Sequence, residues 1–516
     1  MKIKYFILFT LAMISLFLLR DFTPDNELRY LSIADEALRN GTLFTFYNHG
    51  LAYADKPPLY LWIVMAGKLI FGTHSMLFLG LFSLLPALVI LYVMDKWTAG
   101  VLERANRSFG LLLLMSSAYF LASAAVMRMD MLMCMFIVLA LFVFYRMYCG
   151  ETHWRNKILF PLYVFLALFT KGPIGFLVPL LSVIAFLVLQ RELKTLGRYW
   201  GWITWSILIV LCGSWFVAVY AEGGAAYLHN LLFNQTINRA VDAFHHKRPV
   251  YYYFISMWYV VAPWSLLIAG ILIASVKRKL VTTDMERFFL TVAVVIMVML
   301  SLISSKVDIY LLPALPFLVY LTVLLLQKLP TQCGLLRGLL ATPVLLITLA
   351  VPVGCILLQQ SHWAIPSGVW VYVAGVFVTV LGTVTLWLLF QKADVRKAGS
   401  LFAVGMLVTL LVVSPLIPAM NSSIGYGAMC ETGKQLAQQN QSQAFWFYNI
   451  RRGENMDVYL HQEAVELTDD TLKQLVSARG ILFCRADDVT KNRLLQHIVS
   501  GKPQVTKGEY VVVALR

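Results

Sequence analysis

The stretch T-P-D-N-E-L-R-Y, Thr23 to Tyr30, places Asp25, Asn26, Glu27 and Arg29 within five positions, directly after an apolar run. A carboxylate at such a place can take a proton from a hydroxyl or amine. A guanidinium can hold a phosphate or carboxylate with two parallel hydrogen bonds. Further along, A-D-K-P-P brings Asp55 beside Lys56, M-R-M-D-M brings Arg128 beside Asp130, and F-T-K-G-P carries Lys171. N-R-A-V-D-A-F-H-H-K-R-P holds Arg239 and His245, and S-S-K-V-D-I-Y holds Lys306, Asp308 and Tyr310. Cations converging at one depth suit a phosphate or pyrophosphate headgroup whose lipid tail stays in a bilayer. A carboxylate among them suits acid/base work. Taken singly, each has a plainer reading: Arg128 with Asp130 as a boundary ion pair, Lys171 as a snorkelling cation, H-H-K-R-P as a solvated basic turn.

Something must hold these groups together, and composition says what. The chain of 516 residues is 59% hydrophobic and 13% charged, whereas an ordinary soluble domain has roughly a quarter of its residues charged. Windows of about 20 apolar residues, the length that crosses hydrocarbon, recur along it. They predict about thirteen spans, near 3–20, 75–94, 108–126, 131–149, 158–170, 173–190, 200–219, 254–276, 288–304, 309–327, 338–358, 369–390 and 401–419. Lys and Arg gather in alternate turns, from Lys2 and Lys4 through Lys96, Arg104 and Arg107 to Lys392, Arg396 and Lys397. Short basic loops stay cytoplasmic, so the N-terminus is expected inside and the tail of residues 420–516 outside. The net charge of +15 is then mostly topology, with anionic lipid as a secondary attraction; no nucleic-acid signature is present. The first span, without a small-residue cleavage site, reads as a retained signal anchor.

Three stretches are expected outside: 21–74, 220–253 and the tail. Leu28, Leu31, Ala34 and Leu38 predict an amphipathic helix over 24–40 lying on the bilayer surface, with Asp35, Glu36 and Arg39 on its other side. Pro57 to Gly72 is apolar but short, and reads as interfacial. The tail changes character: Q-A-F-W-F-Y-N, G-I-L-F-C-R and E-Y-V-V-V-A-L predict strands, and T-D-D-T-L-K-Q-L-V a helix capped by Thr468 or Asp469. The chain therefore divides into a membrane domain, 1–419, and a small α/β domain, 420–516. Cys430 and Cys484 share the exported tail, where a disulfide is allowed. No CxxC or His-Cys spacing calls for zinc.

In this order, P-D-N-E-L-R-Y, D-K-P-P, M-D-M-L, T-K-G-P-I, H-K-R-P-V-Y-Y-Y followed by A-P-W, and S-K-V-D-I-Y-L-L-P resemble the GT-C membrane glycosyltransferases, specifically the bacterial protein O-mannosyltransferase-like branch that includes the lipid A aminoarabinose transferases. The resemblance covers most of the chain. It implies transfer of a sugar from undecaprenyl phosphate to an acceptor at the outer face of the bacterial inner membrane, without a nucleotide and usually without an essential metal, although a divalent ion is compatible with it. An acidic residue of the first loop is the implied base. The family often has adjacent Asp-Glu, whereas here Asn26 separates Asp25 from Glu27, so either carboxylate is a candidate. Lys56, Lys171, Arg239 and Lys306 are candidates to hold the donor phosphate; Arg29, Asp55, Arg128, Asp130, His245 and Tyr310 are candidates to position substrate. Lipid A or lipopolysaccharide is the expected acceptor, with a protein acceptor or a polysaccharide ligase as alternatives. A transporter fits less well, because translocation calls for charges near mid-span and these gather at one face.

Overall fold

A bend carries the chain out of its first helix and sets the site that follows. In the computed structural model, which describes residues 2–233, 248–330, 334–360, 369–392, 394–477 and 479–515, helix α1 (Ile3–Leu19) ends at Arg20, and Pro24–Leu28 forms one π turn leading into α2 (Arg29–Asn40). The two helices meet at 76°. Proline fits the first turn because it has no N–H to leave unpaired. A short hairpin follows, β1 (Tyr47–Asn48) and β2 (Leu51–Ala52), then α3 (Leu59–Phe71) and α4 (Met76–Trp97). Next come α5 (Arg104–Ser116), α6 (Ala118–Ala125), α7 (Met129–Tyr148), α8 (Trp154–Lys171) and α9 (Ile174–Leu189).

Among the described residues, eight helices are long and apolar enough to cross a membrane, or up to eleven if each bent pair is one span. The expected thirteen exceed this for identifiable reasons. The windows at 108–126 and 254–276 fall on helices broken by sharp bends, and the window at 3–20 on a 17-residue helix that bends sharply at its end. Helix α8 carries Arg155, Lys157 and Lys171, and α9 has only 16 residues. The helices pack through interlocked rings: Trp97 of α4 lies 5.1–5.9 Å from Phe142, Tyr145, Phe288, Phe289 and Phe317. Near that end Asp95 pairs with Lys2 and, at 2.6 Å, with Arg107.

Helix α2 forms where expected but is not a surface helix. Tyr30, Leu31, Ile33, Ala34 and Ala37 are buried, and so are Ser32 and Glu36 from the face expected to be polar. Protein supplies what headgroups would have: Glu36 accepts from the amides of His49 (2.7 Å) and Gly50 (3.0 Å), and Asp35 pairs with His74 (2.8 Å) and Lys68 (3.3 Å). Glu222, in the helix Trp202–His229, accepts from the amides of Leu43 (2.8 Å) and Phe44 (2.9 Å) and closes the far side of the loop.

The apolar helices end at Ile424, and an α/β layer begins at Gly427. Its five-stranded sheet runs β4 (Val465–Leu467), β3 (Phe445–Tyr448), β5 (Gly480–Arg485), β7 (Tyr510–Leu515), β6 (Gln504–Lys507). The β3 strand is parallel to β4 and β5, and β7 is antiparallel to β5 and β6. All three strands expected from sequence are present. The helix expected over 468–476 is instead a turn followed by a 3-10 helix, Leu472–Ser477, with the Thr471 hydroxyl accepting from the Thr468 amide at 2.8 Å. Cys430 and Cys484 are free. They belong to different hydrophobic clusters on opposite faces of the sheet, with Phe483 and Val512 on one side and Leu482 and Val513 on the other, as strand alternation dictates.

This layer is seated on the first loop. Asp21 accepts from Tyr459 Oη and from the Gly427 amide (2.8 Å), Asn421 bonds the Asp21 amide (3.0 Å) and the Leu19 carbonyl (2.8 Å), and Ser32 donates to Asp457 at 2.8 Å. Burial holds the Asp457 carboxyl above the usual carboxylate range, against the Ser32 bond and the nearby His49. The seated form thus binds the Asp457 proton more tightly than the free form. Its contribution favours seating at acid pH and is lost as pH rises through the ordinary carboxylate value toward the raised one. Asp457→Asn should remove that part of the pH dependence when amide hydrogen exchange of residues 449–461 is followed from about pH 4 to 7.

Candidate functional site

Glu27 lies in the π turn, 1% exposed. Arg20 donates through both terminal nitrogens to its two oxygens at 2.7 Å each, the Thr23 amide (2.7 Å) and hydroxyl (2.9 Å) donate as well, and the Met127 amide completes the set at 2.7 Å. Every lone-pair direction is taken. The carboxylate is a brace, pinning the segment before α7 to the first bend. Ser83 of α4 holds the same segment by donating to the Val126 carbonyl at 2.6 Å.

Asp25, two residues earlier, is its opposite. Its side chain is 44% exposed, and its partner is Arg451 of the tail, Nε to Oδ1 2.9 Å. Asn26 accepts from Arg29 Nη2 at 3.2 Å, so the residue that interrupts the Asp-Glu pair orients the arginine.

Behind this turn the remaining candidates assemble. Asp130, 1% exposed, occupies the first turn of α7, where the helix N-terminus favours an anion. It pairs with Lys171, the last residue of α8, and with Arg128 at 3.2 Å. The Lys171 ammonium stands 4.4 Å from the centre of the Tyr310 ring. Lys56 pairs with Asp55 at 3.2 Å and lies within electrostatic reach of Asp130 and Lys171. Arg29 covers the rings of Tyr30 and Tyr53 at 5.7 Å each, and Tyr30 meets Tyr60 edge-on at 5.7 Å. The charges of Arg29, Arg128, Asp130 and Asp55 all act on Tyr30, which is the buried centre of the group. Among the described residues, Arg29, Lys56, Arg128 and Lys171 outnumber Asp55 and Asp130 by two charges.

Lys306 lies four residues before Tyr310, in the segment that follows the helix Asp284–Leu302. It is 4% exposed, donates to the Ile303 carbonyl, and has no carboxylate partner among the described residues. Burial lowers its pKa, so an arriving anion would relieve a cost already present. Two residues on, Asp308 is clamped by Ser256 (2.6 Å) and Tyr259 (2.6 Å), which fixes Tyr310 against Lys171. The helix Tyr252–Val260 that supplies the clamp also lines an apolar cavity of 370 Å³ with Phe254, Met257 and Trp258, closed opposite by Leu290, Val294 and Val298. Arg239 and His245 lie outside the described residues. Among the described residues no group of three His, Cys, Asp or Glu is placed to hold a metal.

The fold has solved counterparts. The structure superposes on ArnT from Cupriavidus metallidurans bound to undecaprenyl phosphate with a TM-score of 0.77 and 18% identity, covering 99% of this chain and 98% of that one, and on the apo form with 0.76. The fold is that of ArnT. In sequence the chain is 27% identical over 301 residues to an undecaprenyl phosphate-alpha-4-amino-4-deoxy-L-arabinose arabinosyl transferase of Yersinia pestis, and 28% identical over 304 residues to an uncharacterized protein of Aquifex aeolicus. These matches cover 56% and 58% of this chain and span 52% and 58% of the relatives, just over half their length. No family model matches. The resemblance to GT-C aminoarabinose transferases is thus carried by fold and sequence together.

Sequence reasoning missed Arg20, Tyr30 and Arg451. Arg20 had a signal: an arginine at the outward end of the first span runs against positive-inside bias and asks for a partner. Arg451 had none, since its place depends on how the tail seats.

The two carboxylates should separate in stability. Glu27→Gln leaves Arg20 buried and unpaired, at a cost of about 3–5 kcal/mol, whereas Asp25→Asn gives up an exposed pair that contributes roughly 0–1 kcal/mol. Thermal unfolding in detergent should show a large fall for the first and almost none for the second; equal losses would contradict the assignment of Glu27 as the brace.

Proposed function

We propose that this chain moves a sugar from an undecaprenyl phosphate donor to an acceptor at the outer face of the bacterial inner membrane. The amino-sugar donor named for the Yersinia relative is the donor of choice, and lipid A or another part of lipopolysaccharide is the acceptor. The N-terminus lies in the cytoplasm and the α/β domain of residues 420–516 in the periplasm. The observation that carries this reading is the two-charge excess around Tyr30 and Lys171. A buried cationic excess opposite in sign to a phosphate is a site for that ion, and the apolar cavity beside Trp258 offers a path for a long lipid tail.

The transfer is a single inverting displacement. An acceptor oxygen attacks the anomeric carbon as the bond from that carbon to the phosphate oxygen breaks, and undecaprenyl phosphate leaves with the electron pair. Lys56, Lys171 and Lys306, with Arg239 as a further candidate, stabilise the charge that grows on the leaving phosphate, in a place where preorganised cations act most strongly. Asp130 and Tyr310 fix Lys171, Asp55 fixes Lys56, and Arg29 and Arg128 complete the field. Asp25 is the base: it is half-open and sits in the turn that leads into Arg29, whereas every oxygen of Glu27 is occupied. It takes the proton when the acceptor is a hydroxyl. A phosphate acceptor is already an anion and needs only to be oriented. His245 is retained as a candidate on the acceptor side.

Mass spectrometry of lipopolysaccharide from cells with and without this chain tests the reading. An added amino-sugar mass should appear only when the chain is present, and Lys56→Ala should lower its rate of appearance roughly 100-fold, as for the loss of one preorganised charge at a leaving group. Unchanged lipopolysaccharide, or near-normal turnover in the variant, would sink it.

A further inference from the structure

Arg451 reaches the candidate base from a separate layer of the protein. The segment N-I-R-R-G-E-N follows strand β3, and two of its residues, Asn449 (φ 52°) and Arg452 (φ 57°), adopt left-handed backbone. Conformations of this kind persist only where surroundings enforce them. Tyr426, 2% exposed, donates its hydroxyl to the Arg451 carbonyl at 2.5 Å, Asn449 donates to Asp488 at 2.9 Å, and Gly453 lies so close to Phe447 that a Cβ would meet the ring at 2.5 Å. The backbone is fixed while the side chains are not. Arg451 is 80% exposed and uses its Nε on Asp25; Arg452 is 49% exposed and reaches Glu454 only at 3.6 Å.

A guanidinium engaged through Nε on one exposed carboxylate keeps further N–H donors on its two terminal nitrogens, the fork that matches a phosphate or carboxylate. An exposed pair of this kind is weakly held, and an incoming dianion competes for it. The donor phosphate already has the buried cations behind Tyr30, whereas Arg451 stands on the outer rim, where an acceptor would arrive.

We propose that Arg451, with Arg452 beside it, is the acceptor-reading element of the site: it binds a phosphate group on a lipid-anchored acceptor, and by moving to that phosphate it releases Asp25. This rests on the reading that Asp25 borders the transfer site. The tail layer is then a part of acceptor recognition, coupled to the base through one ion pair.

The test uses the full chain in nanodiscs and two probes, bis-phosphorylated lipid A and the same lipid after removal of its phosphates. Undecaprenyl phosphate binding is measured in parallel. The wild-type chain should bind the phosphorylated probe roughly 10- to 100-fold more tightly, the range of a charge-assisted bidentate pair. Arg451→Ala should bring the two affinities together, Arg451→Lys should restore part of the difference, and both should bind undecaprenyl phosphate and melt as wild type does. No preference in the wild type, a preference that survives Arg451→Ala, or a parallel loss of undecaprenyl phosphate affinity in that variant overturns the proposal. Failure of the wild type to bind undecaprenyl phosphate overturns instead the donor reading beneath it.

Discussion

Arg20 at the end of the first helix and Glu27 in the following turn form a closed pair, bidentate and almost fully buried. The 76° bend between α1 and α2, the exposed position of Asp25 and the placement of the segment before α7 all hang from it, because the same carboxylate also holds Thr23 and the Met127 amide. A buried carboxylate is tolerable only with its charge matched and its lone pairs filled. Here both conditions are met by groups from two separate stretches of chain, which converts an electrostatic requirement into a geometric one: wherever Glu27 goes, Arg128 and Asp130 must follow.

The charges around that joint divide into neutralised and surplus. Asp95 with Lys2 and Arg107, and Glu286 with Lys328 at 2.6 Å, are matched sets that tie helices together. The group around Tyr30 carries more cations than carboxylates among the described residues. Surplus charge in a poorly hydrated pocket is costly without a ligand, and tolerating that cost is reasonable only where a ligand of opposite sign repays it. The tail layer adds a second joint at Asp21, Ser32 and Asp25, so that the rim of the pocket is built partly from residues more than 400 positions away in sequence.

Much of this was legible in the sequence because the information was local. Apolar windows reported the helices, lone charges on the outward turns reported Asp25, Lys56, Asp130 and Lys171, and alternating apolar runs reported strands β3, β5 and β7. What escaped depends on long-range contact. A hydropathy window does not see the break between Arg104–Ser116 and Ala118–Ala125, or between Tyr252–Val260 and Ser265–Lys277, so bent pairs read as straight spans. Helix α2 was assigned to the bilayer surface because the amides of His49 and Gly50, which cover its acidic face, come from a hairpin too short to register as strands. Glu27 and Asp25 looked equivalent two residues apart; only the positions of Arg20, Thr23 and Met127 set one as a brace and leave the other open.

The central claim is that the charge surplus around Tyr30 exists to hold a lipid-linked phosphate. Cryo-electron microscopy of the chain in nanodiscs with undecaprenyl phosphate would place that phosphate directly. The phosphate oxygens are expected within hydrogen-bonding reach of Lys56 or Lys171, with the lipid tail leaving along the cavity beside Trp258. A phosphate that touches neither lysine, or one bound at the opposite end beside Lys2 and Arg107, would contradict the account.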